Sequence, residues 1–261
     1  MPKISIMTLD KAPVVTAPEN CCGVAKVMGY FDGENPLHLH LHEIALGETL
    51  RIERSGIDRL AYVWKGGVEA GGYALAKGSS MIVEHGQTLD IKGAKESSVV
   101  LTFAAAQAPT RPRDGGHVHL LPSERVPRIA SLGGPGGVGG GMHADSACPT
   151  CEIWLHENHF PAGLEFEDGE RGVHSHTEDE IIFVIDGEIR LGTKLYGPGT
   201  ALAIAADTLY SFTPGPEGLS FINFRAGTPG DIQFRNGTSM SETGYWRERV
   251  PRPQYLAPAM G

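Results

Sequence analysis

Between Gly172 and Gly192 the chain reads GVHSHTEDEIIFVIDGEIRLG, with His174 and His176 one residue apart, Glu180 four further on and an apolar run behind them. Side chains alternate faces along a strand, so His174, His176 and Glu180 share parity with Ile182 and Val184 and can point to one side. Two imidazoles and a carboxylate on one face suit a divalent transition metal, and resemble the facial triad that holds Fe(II) while leaving positions open for substrate and oxygen. Mn, Ni, Zn and Cu also accept these donors, because ligand type alone does not choose among them. Glu178 has the same parity, so seating a single acid needs a bulge or bend after the histidines; Glu180 is the expected ligand. The alternative is a histidine-bearing strand end with no metal. Asp186-Gly187 suits a tight turn that returns the chain along EIRLG.

These residues must be positioned by a β framework. The 261 residues suit two medium domains. The 35 Gly and 18 Pro favour short strands and tight turns over long helices. A formal charge of −9, with no basic cluster among aromatics, argues against a nucleic-acid partner. No stretch approaches the ~18 apolar residues of a membrane span, and the first twenty residues have no apolar signal core, so no membrane association and a cytoplasmic location are expected. Four cysteines, Cys21-Cys22 and Cys148/Cys151, are too sparse for a disulfide scaffold.

Two regions dense in apolar runs flank the glycine-rich passage SLGGPGGVGGGMHADSACPTC, where Gly133-Gly134 and Gly136-Gly137 leave little to pack. The expected organisation is an N-terminal barrel over 1–107, a linker over 108–145, a C-terminal barrel over 146–230 and a tail over 231–261. The flanking regions align: Gly66 to Gly78 and Gly187 to Gly199 have equal spacing, and RLAYVWKG matches EIIFVIDG in its aromatic-Val-apolar core. An internal duplication follows, each copy an antiparallel barrel or sandwich of hairpins.

The chain resembles a cupin, specifically a bicupin. HSHTEDEIIFVIDG carries the first cupin motif: His174, His176, Glu180 and, six residues further on, Gly187 match it, with the leading glycine near register at Gly169 or Gly172. GPGTALAIAADTLYSF carries the second: Pro198, Gly199 and Ile204 match, and the family's last histidine falls on Tyr210. The resemblance implies all-β architecture, two tandem cupin-type antiparallel β-barrels of the jelly-roll kind, with a divalent metal in the C-terminal one. Tyr210 then has three readings: a phenolate ligand whose pKa the cation lowers, a hydroxyl beside an open metal that donates or moves a proton, or a packing group against Phe212.

In the N-terminal copy Glu180 falls on Arg59, His176 on Ser55, His174 on Glu53 and Tyr210 on Leu89, and an arginine in the carboxylate position would repel a cation. That barrel is expected to be metal-free, with a structural or dimerising role and a homodimer as the assembly. His38, His40 and His42 form a comb on one strand face but have no carboxylate at matching spacing; they read as a half-solvated strand. Alignment sets His40 opposite His156. His156 and His159 have opposite parity, so one can face the pocket beside the metal, and His156 is the candidate for a catalytic role there. Cys148 and Cys151 form a CxxC pair whose zinc or redox role would need a second ligand pair; otherwise they are ordinary, partly buried thiols. The tail carries Tyr245, Trp246 and Tyr255 and is expected to pack over a barrel or a partner subunit.

Two classes of function fit: a metal-dependent enzyme on a small organic substrate, foremost an Fe(II)-type dioxygenase with a redox-neutral lyase, isomerase or decarboxylase as the variant, or a non-catalytic cupin that binds a small ligand.

Overall fold

The computed structural model describes residues 3–16, 20–24, 26–107, 116–132, 138–164 and 172–259. Gly133-Gly134, Gly136-Gly137 and Gly169 lie outside them. Nearly everything described is strand; the helices among the described residues are the short α-helix Glu242–Arg247 and a 3₁₀ turn at Ser123–Arg125. No helix is long and apolar enough to cross a membrane.

The chain forms two compact units, and their boundaries differ from those expected. One comprises Met1–Lys11, Pro127–Ser146 and Ile153–Arg252; the other comprises Ala12–Val126, Ala147–Glu152 and Pro253–Gly261. Pairing, not sequence order, decides membership. Ile4–Met7 is an edge strand on Ala201–Ile204 of the C-terminal unit, and Leu256 bridges Leu120 in the N-terminal unit.

In the N-terminal unit a seven-stranded and a five-stranded antiparallel sheet enclose an aliphatic core that includes Ile44, Leu50, Val63, Val100 and Leu120. In the C-terminal unit the strands Trp154–Phe160, Glu180–Leu191, Ala201–Ile204 and Thr213–Arg225 belong to one sheet. The small sheet of His174–Ser175, Asp231–Phe234 and Ser239–Ser241 belongs to the same unit. The tail beyond 230 is therefore part of this unit's sheet structure up to its helix.

The two units share a strand register. Arg59 pairs with Val83 and Tyr62 with Ser80, while Glu180 pairs with Ile204 and Phe183 with Ala201, so each residue of the first pair of strands stands 121 positions before its counterpart. Thr102 lies opposite His40, and Asn223 opposite His156, as the alignment of those two histidines requires.

Gly66 and Gly187 both have positive φ, +73° and +65°, and a Cβ on either would run into a backbone carbonyl of the neighbouring strand, Ser97 or Gly218. Gly187 nevertheless does not make a hairpin turn. The strand Glu180–Leu191 runs through Asp186-Gly187 with register shifts on both sides, a bulge, and the chain reverses at Gly192 instead, where Leu191 pairs with Lys194. The αL residue is accommodated by an extra residue in the ladder rather than by a change of direction.

The comb of histidines also differs from expectation. His40 and His42 are buried, because Leu37–Ala45 is an inner strand between Lys26–Phe31 and Ser97–Ala105. His42 Nε2 meets Thr102 Oγ1 at 2.8 Å. Burial lowers the pKa of His40 to about 4 and of His42 to about 3, so both are neutral core histidines.

Candidate metal centre

The site begins where the chain bends. His174–Ser175 is a two-residue strand paired with Gln233 and Phe234, the ladder stops at His176, and a new strand starts at Glu180. In the bend, Glu178 Oε1 accepts from the Gly230 amide at 3.0 Å and Asp179 Oδ1 from the Ala206 amide at 2.9 Å. Both neighbouring acids are occupied with backbone, whereas Glu180 is almost fully buried and lies behind the cavity wall to which Ile182, Asn223 and Arg225 contribute. Tyr210 is pinned beside His174 by a reciprocal backbone pair, each amide 3.0 Å from the other's carbonyl, and the two rings are 4.6 Å apart.

His156, His174, His176 and Tyr210 all line one cavity of about 350 Å³. Its walls are aromatic and aliphatic, chiefly Phe160, Phe212, Phe221, Phe234, Ile182 and Ile232. A pocket with apolar walls and a few convergent polar groups is the usual form of a small-molecule site.

Sequence reasoning missed three further polar residues that line this cavity, Asn223, Arg225 and Glu242. Arg225, fully buried, donates from Nη2 to Glu180 Oε2 at 2.9 Å and from Nη1 to Glu242 Oε1 at 2.8 Å. Asn223 Nδ2 donates to the same Glu180 oxygen at 2.7 Å. Glu242 reaches this position from the tail, as the first residue of a helix capped by Ser241 Oγ, which accepts from the Gly244 amide. Trp246 of that helix covers His156, with ring centroids 4.8 Å apart. No local motif marks Arg225 or Glu242.

Electrostatics fix the state of each group. Burial by itself would raise Glu180, but the nearby His176 and Arg225 outweigh it and keep the carboxyl ionised. Glu242 is likewise held low against burial, chiefly by Arg225. Burial, then the charge of Glu180, pushes the Tyr210 phenol well above its ordinary value, so without a cation its hydroxyl is a neutral donor beside Glu180. His156 is lowered by burial to about 3, and its Nδ1 accepts from Trp154 Nε1 at 2.8 Å. A histidine so placed is a neutral wall of the cavity and a poor proton carrier near neutral pH.

The residues fit a divalent cation on three counts. Two buried carboxylates, Glu180 and Glu242, face a single buried guanidinium, Arg225, so the cluster is short of positive charge when His176 is neutral. Glu180 Oε1 is buried and takes neither the Arg225 nor the Asn223 bond, both of which go to Oε2; the Tyr210 hydroxyl is the remaining donor to this carboxylate. His174 Nδ1 faces the Gly172 carbonyl at 3.3 Å, which leaves its Nε2 unprotonated. His176 Nδ1 lies 3.1 Å from Glu242 Oε2 and 3.0 Å from Arg225 Nη2. Arg225 Nη2 can only donate, so His176 Nδ1 accepts from it, Glu242 Oε2 is left without a donor, and a metal at His176 would take the place of the Nε2 proton. His176 Nε2 lies 3.8 Å from Glu180 Oε2. The three ligands are near one another but not closed up: among the described residues, the donor atoms that gather within 4.8 Å belong to Glu84, His119, Cys148 and Cys151.

His159 takes the other parity, as expected, with Nδ1 against Ser220 Oγ at 2.8 Å and Nε2 near Glu157.

The fold defines the class. Protein Ylba from E. coli, of family model DUF861, matches with a TM-score of 0.66 at 15% identity, over 85% of this chain and 90% of that one. A candidate dioxygenase from Nostoc punctiforme matches at 0.63 and 12% identity, over 92% and 87%. A mutant of Bacillus subtilis oxalate decarboxylase OxdC matches at 0.62 and 12%, over 91% and 79%. The chain shares the cupin fold of such structures. No protein-family model matches the sequence, and no curated protein matches it either.

Proposed function

We propose that this is a metal-dependent bicupin enzyme for a small organic substrate, with its active site in the C-terminal unit and the N-terminal copy free of metal at the position of Arg59. The observation that carries the reading is the buried cluster of Glu180, Glu242 and Arg225 beside two histidines, His174, whose Nε2 is left unprotonated, and His176, whose Nε2 lies 3.8 Å from Glu180 Oε2. When bound there, a divalent metal, foremost Fe(II), supplies Lewis acidity and open coordination positions, and with iron also redox chemistry.

The chain's own residues then have separable tasks. The phenylalanine walls hold the apolar body of the substrate and exclude water. Arg225 is engaged by two carboxylates, so it orients Glu180 instead of presenting a guanidinium to a substrate acid. Tyr210 offers the cavity a neutral hydroxyl, and His156 braced by Trp154 and Trp246 shapes it.

A dioxygenase is the first reading of the reaction. The second is a redox-neutral lyase, isomerase or decarboxylase, favoured by one observation: Tyr210 lines the cavity beside His174, where its hydroxyl can deliver a proton. Screening the metal-loaded protein with small organic acids and phenols, with and without oxygen, tests both. Turnover coupled to oxygen uptake supports the first, turnover unaffected by oxygen removal supports the second, and binding without turnover leaves a ligand-binding cupin.

A further inference from the structure

We infer that the N-terminal unit holds a structural cation site of zinc type, made by Glu84, His119, Cys148 and Cys151. It is independent of the cavity described above and of the reading given to it. The CxxC pair lacks a second ligand pair in the sequence around it; the fold supplies one. Glu84 follows the strand Ser80–Val83, His119 lies on Val118–Leu121 of the neighbouring strand, and Cys148 and Cys151 come from the segment Ala147–Glu152, which packs in the same unit.

One donor atom from each of the four side chains lies within 4.8 Å of the other three. Cys148 Sγ is 3.4 Å from Glu84 Oε1 and 3.7 Å from His119 Nε2. Zinc with sulfur at ~2.3 Å and nitrogen or oxygen at ~2.0–2.1 Å in a tetrahedron sets such pairs about 3.5 Å apart, so both sulfur contacts already have the required separation. His119 Nε2 and Glu84 Oε1, at 2.7 Å, share a hydrogen bond that the metal would replace. The Glu84 side chain has no solvent exposure and Cys151 is buried.

The supporting groups suit the purpose. Thr150 Oγ1 donates to Glu84 Oε1 at 2.7 Å and the His117 amide to Oε2 at 2.9 Å, so the carboxylate is aimed before any metal arrives. The His119 ring is braced by Tyr255, with centroids 5.0 Å apart. Two thiolates, one imidazole and one carboxylate fill a tetrahedron and leave no open position, the mark of a structural site as opposed to a catalytic one. Binding replaces the thiol protons of Cys148 and Cys151, which pass to solvent, and ties three separate segments of the unit together.

Cobalt titration of the reduced, metal-stripped full-length chain tests this, because a thiolate ligand gives cobalt a near-ultraviolet charge-transfer band that histidine and carboxylate do not. The band should appear in the wild type, in His174→Ala/His176→Ala and in Cys21→Ser/Cys22→Ser, and be absent from Cys148→Ser/Cys151→Ser. Glu84→Gln, which keeps both cysteines and the shape of the side chain, should weaken cobalt binding at least ~10-fold. No thiolate band in a wild type with all cysteines reduced, a band that survives Cys148→Ser/Cys151→Ser, or unchanged affinity in Glu84→Gln would overturn the assignment.

Discussion

Arg225 donates to Glu180 across 2.9 Å with both side chains almost fully buried, so the carboxylate expected to hold a metal is also half of an internal ion pair. In the N-terminal unit the counterpart of Glu180 is itself an arginine, Arg59, paired in register with Ala104. One copy thus carries the cation on the strand where the other carries the anion. On the proposed reading, a further positive ion would be favoured at Glu180 and repelled at Arg59.

Removing Arg225 should therefore be costly. Arg225→Met leaves Glu180 and Glu242 as two uncompensated buried charges, and losing one partner of such a cluster costs about 3–5 kcal/mol. Denaturant unfolding should show that loss, with Arg225→Met/Glu242→Gln recovering part of it because the net buried charge returns to that of the wild type. A double variant no more stable than Arg225→Met would argue that packing, not charge, sets the penalty.

Tyr210 should act as a neutral hydroxyl and not as a ligand. Tyr210→Phe is expected to keep the metal and lower turnover by ~10²–10⁴, the range for losing a proton-transfer group. Loss of metal together with a visible charge-transfer band would instead make the phenolate a ligand.

Acid should destabilise the N-terminal unit through its core histidines. Burial lowers His42 to about 3 and His40 to about 4, whereas their unfolded values stay near 6.5. Between those limits the unfolded state binds more protons, so stability falls as pH drops below about 6.5, each histidine adding a slope of up to ~1.4 kcal/mol per pH unit. His42→Gln should flatten the pH profile of unfolding between pH 6.5 and 4. A profile of unchanged slope would mean that other groups govern it.

What could be read in the sequence is what repeats locally. Strand parity groups His174, His176 and Glu180, which in the structure lie on either side of a break between two strands, with His176 Nε2 3.8 Å from Glu180 Oε2; the equal glycine spacing gives a correspondence that the strand register reproduces. The remainder was invisible for a physical reason: Arg225, Glu242 and Trp246 reach the site through pairings distant in sequence, and Glu242 arrives from a tail with no motif of its own. Asp186-Gly187 misled because positive φ serves a bulge as well as a turn. The His38/His40/His42 comb misled because alternation reports two faces but not whether both are covered. The CxxC pair was silent because Glu84 lies 64 residues before Cys148.

The proposed chemistry depends on a metal held in the C-terminal unit by His174, His176 and Glu180. The most direct measurement is the metal content of the full-length protein purified without oxygen, wild type against His174→Ala/His176→Ala, with folding checked by circular dichroism. The account predicts that the folded double variant loses one equivalent of metal and all turnover while any thiolate-bound cation remains. Equal metal content in the two folded proteins would contradict it.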